Sequence, residues 1–152
     1  MTQETLREAL RYLSLGYSVF PLHNRSKLPA VKWEKYQTEK PTVEEVSKWF
    51  SVDRNVAIVT GAISGLVVLD VDTSKGGEHK PLLEKYPTNM VSKTGKGFHL
   101  YYIYPGWHVD NAVDFLPGVD VRADGGYVVA PPSTHPNGSK YEWLTTNQED
   151  SQ

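Results

Sequence analysis

The sequence contains an acidic motif at the end of an apolar run. Residues 66–72 read Leu-Val-Val-Leu-Asp-Val-Asp, and a run of apolar, largely β-branched residues predicts a buried strand. Successive side chains of a strand point to opposite faces, so Asp70 and Asp72 share one face and lie about 7 Å apart. Two neighbouring carboxylates beside a core are costly unless a cation accompanies them. The motif therefore indicates a site for a divalent metal ion, which takes carboxylate oxygens as ligands.

A second segment, residues 92–101, has the composition of a phosphate-binding loop. It reads Ser-Lys-Thr-Gly-Lys-Gly-Phe-His-Leu-Tyr. Gly95 and Gly97 would let the backbone approach a ligand closely, and exposed amide groups there suit phosphate oxygens. The Lys96 ammonium and the Thr94 hydroxyl add hydrogen-bond donors. His99 lies in the strand that is predicted to leave this loop.

A third segment, residues 118–122, reads Gly-Val-Asp-Val-Arg and places Asp120 and Arg122 on the same face of a predicted strand. The three segments together supply three carboxylates, a histidine, an arginine and a basic glycine-rich loop. These groups are the components of phosphoryl or nucleotidyl transfer by two metal ions. In that chemistry the histidine, arginine and lysines would bind a triphosphate and offset its charge.

Each motif also has a plainer interpretation. An isolated Asp-x-Asp at a strand end is often a solvated turn, and Gly-x-Gly is common in loops. His99 alone fits a hydrogen-bonded structural histidine, and Asp120 with Arg122 fits a surface ion pair worth under about 1 kcal/mol. The presence of all three segments in one chain favours the interpretation as a phosphoryl- or nucleotidyl-transfer site. The remaining histidines show no metal-binding spacing and are assigned no role: His23, His79, His108 and His135.

Composition restricts the classes of protein to which the chain can belong. Its 152 residues fit one domain with a genuine core, and its net charge of −2 argues against nonspecific coating of duplex nucleic acid. The absence of cysteine excludes a disulfide, a thiolate zinc site and a catalytic thiol. No signal peptide and no apolar stretch long enough to span a bilayer is present. We therefore expect a cytoplasmic location and no membrane partner.

Local patterns predict the elements that position these residues. Leucines at helical spacing predict a first helix that ends at Gly16, and Thr42 with Glu45 forms a capping box that opens a helix through residue 50. A further short helix is predicted at residues 82–86. Strands are predicted at residues 17–22, 55–60, 66–72 and 98–104. Because helices come early and strands dominate later, the pattern favours a mixed α+β domain over residues 1–152.

The last third of the chain contains two further strand predictions. Val119–Arg122 and Tyr127–Ala130 flank the sequence Ala-Asp-Gly-Gly, which predicts a hairpin. Residues 141–144 are predicted to add a final strand. The polar tail from Thr145 to Gln152 is expected to fray.

The order of these motifs resembles that of the bifunctional DNA primase/polymerase N-terminal domain of the archaeo-eukaryotic primase superfamily. That family has an acid-x-acid strand end, then a small hydroxyl residue followed by G-x-G-x-H-x-Y, then a later aspartate. The corresponding positions here are residues 70–72, residues 94–101 and Asp120. Peripheral likenesses include Thr60-Gly61 and the run from Gly126 to Ser133, so the resemblance spans nearly the whole chain.

The resemblance implies a fold and a set of site residues. It implies an RRM-like catalytic sheet packed with a small N-terminal α/β unit around one site. It implies that Asp70, Asp72 and Asp120 hold two Mg²⁺ or Mn²⁺ ions and that His99 contacts the incoming triphosphate. Arg122 and Lys27 are by the same analogy phosphate contacts. Thr94 stands where serine is more usual, which keeps the hydroxyl.

The resemblance also implies an activity and partners. We expect a metal-dependent nucleotidyltransferase that makes or extends DNA or RNA primers from NTP or dNTP on a single-stranded DNA template and primer. Relatives occur in plasmid or phage replication proteins that carry a helicase, so a helicase domain or partner is implied for a stand-alone or excised unit. The zinc element of some relatives is not expected, because the chain has no cysteine. The alternatives are a noncatalytic nucleotide- or single-strand-binding module and a metal-dependent nuclease.

Overall fold

The computed structural model describes residues 2–144, so the prediction for the tail from Thr145 lies outside the described residues. Within residues 2–144 the chain forms three α-helices and nine β-strands. The helices are α1 (Thr2–Ser14), α2 (Val43–Trp49) and α3 (His79–Lys85). The strands are β1 (Val19–Leu22), β2 (Asn55–Val59), β3 (Leu66–Asp72), β4 (Val91–Lys93), β5 (Gly97–Ile103), β6 (Ala112–Leu116), β7 (Val119–Arg122), β8 (Tyr127–Ala130) and β9 (Glu142–Trp143).

These strands form two antiparallel sheets. The smaller sheet has the order β1-β2-β8, and the larger has the order β6-β7-β3-β5-β4-β9. Strand β3, which carries the acidic motif, lies inside the larger sheet and pairs with β5 on one side and β7 on the other. The predicted α+β class is therefore confirmed. No helix formed by residues 2–144 is long and apolar enough to cross a membrane.

One hydrophobic core joins the two sheets and the N-terminal helices. Val56 and Ile58 of β2 pack with Leu66 and Val68 of β3 and with side chains from α1 and α2. The alternate residues of β3 face the opposite way, and Val71 packs with Leu82 of α3 in a separate core. The predicted alternation of β3 is therefore confirmed. Asp70 follows Val68 on the face of the first core, at the point where that core ends.

Helix α2 begins where the sequence predicts. Thr42 Oγ1 accepts a hydrogen bond from the Glu45 backbone N–H at 3.0 Å, and the Glu45 carboxylate accepts one from Thr42 N–H at 2.9 Å. The reciprocal pair satisfies two amide groups that a helix start leaves unpaired. Glu45 also accepts a hydrogen bond from the Tyr36 hydroxyl at 2.7 Å, which fixes the preceding segment against the helix.

The predicted hairpin between residues 119–122 and 127–130 is wrong, because β7 and β8 belong to different sheets. The residues between them do close a local turn, in which Gly126 N–H donates to the Ala123 carbonyl at 3.1 Å, but they also make long-range contacts. Thr60 Oγ1 donates to the Ala123 carbonyl at 2.7 Å, and Asp124 Oδ1 accepts from Ala62 N–H at 3.0 Å. These bonds hold the crossing point between the sheets, so β7 pairs with β3 while β8 pairs with β2.

Candidate active site

Three polar residues of the predicted site lie side by side across the larger sheet. The register of β3 sets Asp70 directly opposite Asp120 of β7 on one side and His99 of β5 on the other. Directly opposed residues of neighbouring strands share a face, so the three side chains form a row. Arg122 lies one step along β7, opposite Val68, on the same face. Residues from three separate segments of the sequence are thus brought together by strand pairing.

Asp70 is the centre of this row and is partly withdrawn from solvent, with 32% of its side chain exposed. Its Oδ1 lies 3.4 Å from His99 Nε2. Burial acts to raise the pKa of Asp70, but His99, Arg122 and Lys27 outweigh it and lower that pKa below its ordinary value. Asp70 is therefore ionised at neutral pH despite its neighbouring carboxylate.

His99 is buried, with 5% exposure, and only one of its ring nitrogens faces Asp70. The other nitrogen, Nδ1, is buried without a hydrogen-bond partner, as is Oγ of Ser92, the residue opposite His99 on β4. Unpaired polar atoms at such depth are rare in folded proteins. Because they belong to residues in register with Asp70 across the sheet, these unpaired atoms indicate that this part of the sheet has a functional role in addition to packing.

Asp120 is positioned from two sides. Its Oδ1 accepts a hydrogen bond from the Asp114 backbone N–H at 2.9 Å, and its Oδ2 accepts one from Arg122 Nη2 at 3.1 Å. Asp114 lies in an irregular stretch of β6 and has a φ of 54°, in the left-handed region. Such irregularities commonly re-aim groups beside functional sites. Here the irregular edge strand β6 directs the Asp114 backbone N–H at the Asp120 carboxylate.

Asp72 ends β3 and caps the turn that follows. Its Oδ1 accepts hydrogen bonds from the Ser74 backbone N–H at 2.9 Å and from the Ser74 hydroxyl at 2.5 Å. These hydrogen bonds, with Lys75 and Lys96 nearby, lower the pKa of Asp72 although partial burial acts against them. Asp72 is thus ionised as well, with one oxygen already occupied.

Gly95, in the loop between β4 and β5, and Gly97, at the start of β5, are required by packing inside the protein. A Cβ on Gly97 would lie 1.9 Å from the Val71 carbonyl oxygen, and a Cβ on Gly95 would lie 2.1 Å from the ring of His135. The close approach expected for a ligand is therefore made by protein groups. Gly97 lets β5 meet β3, and Gly95 gives space to a histidine from a distant segment.

Two adjoining clefts open above the row. The first has a volume of about 210 Å³ and the second about 350 Å³, and both are bordered by Lys27, Asp70, His99 and Tyr141. The predicted residues that line the first cleft are Lys27, Asp70, Asp72, Thr94, Lys96, His99 and Asp120. Arg122 lines the second, whereas neither cleft is lined by Gly95 or Gly97. Lys27 and Lys96 are exposed and His99 is buried, so the lysine side chains lie at the opening of the first cleft and His99 lies deeper.

Comparison with known families adds an independent observation to this geometry. The family described as bifunctional DNA primase/polymerase, N-terminal, matches residues 9–151. The chain belongs to this family. A comparison with individually curated proteins returned no match. Membership in the primase/polymerase family confirms the resemblance seen in the motifs and makes the chain a protein of the DNA primase/polymerase type, for which nucleotides and DNA are the substrates.

The two clefts are also lined by residues that the sequence did not predict. His135 and Tyr141 follow β8 and line the first cleft, and Asn111 lines the second beside Arg122. Tyr141 has its ring centroid 6.2 Å from that of His99 and 6.1 Å from that of His135. The available signal was a histidine in the turn-rich run Ser-Thr-His-Pro-Asn-Gly, directly after a predicted strand.

The carboxylates of Asp70, Asp72 and Asp120 are the type of ligand that a hard divalent cation prefers. Asp70 and Asp120 are directly opposed like charges, an arrangement that destabilises a sheet unless something neutralises it. Within residues 2–144, no three His, Asp or Glu side chains are grouped closely enough to hold a metal ion as they stand. Asp72 is turned toward Ser74, so its carboxylate would have to rotate to join the opposed pair.

Proposed function

We propose that the chain is a metal-dependent nucleotidyltransferase that makes or extends DNA or RNA primers on a single-stranded DNA template. The observation that carries the proposal is the cross-strand row of Asp120, Asp70 and His99, which lies beneath a cleft with lysines at its opening. Family membership supports the class of reaction. The row supplies the acidic and basic groups that such a reaction requires at one place.

The side chains of the row have distinct roles in this proposal. Asp70 and Asp120, with Asp72 after rotation, would hold Mg²⁺ or Mn²⁺. When bound, these two ions supply activation of the attacking 3′-hydroxyl and neutralisation of the phosphate charge. His99 and Lys27 would bind the triphosphate of the incoming NTP or dNTP, and Lys96 and Thr94 would contact it at the loop. Arg122, which pairs with Asp120, would orient that carboxylate and contact phosphate from the second cleft.

We further propose a correspondence between the two sheets and the family's architecture. The six-stranded sheet would be the RRM-like catalytic sheet, and the three-stranded sheet with α1 and α2 would be the small N-terminal unit. Residues 1–152 would then act as one catalytic domain with the site between its two parts. Its mild net negative charge favours weak contact with DNA, which makes a helicase domain or partner useful for processive work.

A second candidate is a noncatalytic module that binds nucleotides or single strands. The specific observation that favours it is that two of the carboxylates already have hydrogen-bond partners inside the protein. Asp72 is bonded to Ser74, and Asp120 is bonded to Arg122 and to the Asp114 amide. In a binding module these bonds would persist, and the carboxylates would shape the cleft without joining a reaction.

Template-dependent incorporation of labelled nucleotides separates the two candidates. With Mg²⁺ or Mn²⁺ present, we expect the wild-type protein to extend a primed single strand and Asp70→Asn to reduce the rate on the order of 100-fold or more, as loss of a metal ligand does. Glu84→Gln, an exposed residue of α3, is the matched control and retains full activity. Nucleotide binding by the wild type without any incorporation would favour the binding module.

Metal binding has its own readout that does not depend on turnover. Mn²⁺ at 100 times its dissociation constant stabilises the folded state by about 2.7 kcal/mol, which raises the melting temperature by roughly 5–10 °C for a domain of this size. We expect this rise in the wild type and its loss in Asp120→Asn. An equal rise in both proteins would show that Mn²⁺ binds elsewhere.

A further inference from the structure

His135 is a second buried histidine at the cleft, supplied by a segment far from the acidic motif. It is 6% exposed and lines the first cleft together with Asp70, His99 and the lysines. Its ring fills the space above Gly95, where a Cβ would come within 2.1 Å of it. The ring is therefore fixed between the glycine loop and Tyr141.

The hydrogen bonding of His135 determines which ring nitrogen carries its proton. The Asn137 backbone N–H donates to His135 Nδ1 at 3.0 Å, so Nδ1 acts as the acceptor. A neutral imidazole with an acceptor at Nδ1 carries its hydrogen on Nε2. Burial and the nearby charge of Lys27 lower the pKa of His135, which keeps the ring neutral. His135, which lines the cleft, therefore has the hydrogen-bond donor of its ring at Nε2.

A donor at Nε2 selects the kind of ligand that the residue can contact. A metal ion needs the lone pair of an unprotonated nitrogen, which Nε2 lacks while Nδ1 accepts from Asn137. A phosphate oxygen is an acceptor and matches the Nε2–H group. Lys27 and Lys96 line the same cleft and supply the positive charge that an anion needs beside the carboxylates.

Hydrogen bonds within the loop that carries His135, and from it to the glycine loop, hold this loop in place. His135 N–H donates to the Ser139 carbonyl at 2.7 Å, and Gly138 N–H returns a bond to the His135 carbonyl at 2.8 Å. The Asn137 side-chain amide donates to the Gly95 carbonyl at 3.1 Å, which ties the His135 loop to the glycine loop. A rigid donor loses little conformational entropy when a ligand binds.

We propose that His135, which lines the first cleft together with His99, binds a phosphate oxygen of the nucleotide triphosphate through Nε2. The inference rests on the proposed function, because it assigns a triphosphate to the cleft. It adds a binding residue from the C-terminal segment, outside the three motifs. The proposal also explains why residue 95 is a glycine, because a side chain there would occupy the space of the His135 ring.

Direct binding of ATP and of adenosine, measured by calorimetry with Mg²⁺, tests the inference without requiring turnover. His135→Phe keeps a ring and removes the donor, and we expect it to weaken ATP binding roughly 10- to 100-fold, the loss expected for a hydrogen bond to a charged group. Adenosine binding changes little, because adenosine has no phosphate. His135→Gln restores a donor and stays within about threefold of the wild type. Exposed His23→Gln is the control.

Gly95→Ala supplies a second, independent perturbation. Its new Cβ displaces the His135 ring, so the variant is expected to reproduce the ATP defect of His135→Phe, and the double variant is expected to be no worse than either. Wild-type affinity for ATP in His135→Phe, or an equal loss of ATP and adenosine binding, would overturn the inference. ATP binding without primer extension by the wild type would instead overturn the proposed function, and failure of the wild type to bind ATP would overturn both.

Discussion

The buried hydroxyl of Tyr12 fastens α1 to the segment that completes the site. Tyr12 is fully buried, and its hydroxyl donates to the Pro131 carbonyl and accepts from Trp143 Nε1 at 3.0 Å. Burial raises the pKa of Tyr12 well above its ordinary value, so the hydroxyl stays protonated and keeps donating. Pro131 and Trp143 stand on either side of the loop that carries His135. The Tyr12 side chain thus holds both ends of the segment from Pro131 to Trp143, which contributes His135 and Tyr141 to the first cleft.

Tyr12→Phe removes this oxygen and little else. Each of the two hydrogen bonds contributes about 1 kcal/mol, and leaving the buried Pro131 carbonyl unpaired adds about 1–2 kcal/mol. We therefore expect the free energy of unfolding to fall by about 3–4 kcal/mol, which lowers the melting temperature by roughly 6–15 °C. Urea unfolding followed by circular dichroism measures the first quantity, and a thermal scan measures the second.

Tyr86→Phe is the matched control for this prediction. Tyr86 is 42% exposed, so removal of its hydroxyl is expected to change stability by less than about 0.5 kcal/mol. A loss in Tyr12→Phe as small as that of the control would contradict this prediction, because it would show that the Pro131 carbonyl and Trp143 Nε1 find other hydrogen bonds.

Three further predictions concern the sheet, a helix start and pH. Gly97→Ala places a Cβ 1.9 Å from the Val71 carbonyl and is expected to reduce the free energy of unfolding by at least about 3 kcal/mol in urea titrations. Glu45→Ala removes one half of the capping box with Thr42 and the hydrogen bond from the Tyr36 hydroxyl, and is expected to reduce the free energy of unfolding by about 2 kcal/mol. The pKa of His135 is lowered from 6.5 on folding, so its contribution to stability is present above pH 6.5 and lost as pH falls through the folded-state value. His135→Gln is expected to weaken this pH dependence between pH 7.5 and 5.

Matched variants accompany each of these measurements. Gly106→Ala adds a Cβ with no atom within 4 Å, and Glu44→Ala changes an exposed glutamate of the same helix turn. Both are expected to leave the free energy of unfolding nearly unchanged. If Gly106→Ala matched Gly97→Ala, or Glu44→Ala matched Glu45→Ala, the assigned contacts would not be the cause. A wild-type pH dependence in His135→Gln would contradict the third prediction.

The row of site residues was predictable because it depends on strand alternation. The apolar residues before Asp70 give β3 its two buried faces, and two other β-prone segments present His99 and Asp120 at matching positions. Pairing of these strands follows from burial of their shared apolar face, so the side chains that continue that face meet. Local sequence was therefore sufficient to predict which side chains continue that face.

The hairpin and the second wall of the cleft were not predictable in the same way. The turn residues after Arg122 have hairpin composition, but besides one local turn bond they hydrogen-bond with Thr60 and Ala62, which are about 60 positions away. His135 and Tyr141 reach the cleft only because β8 joins the other sheet and the following loop returns. Such placement depends on long-range topology, which residue spacing does not encode.

A crystal structure with Mn²⁺ and a nonhydrolysable nucleoside triphosphate tests the proposed metal and nucleotide site most directly. We expect anomalous density for Mn²⁺ between the carboxylates of Asp70 and Asp120, with Asp72 turned away from Ser74 to join them. We expect the triphosphate beside His99 and Lys27. Binding of Mn²⁺ and the triphosphate at another surface, with the row of Asp120, Asp70 and His99 uncontacted, would contradict the proposed site.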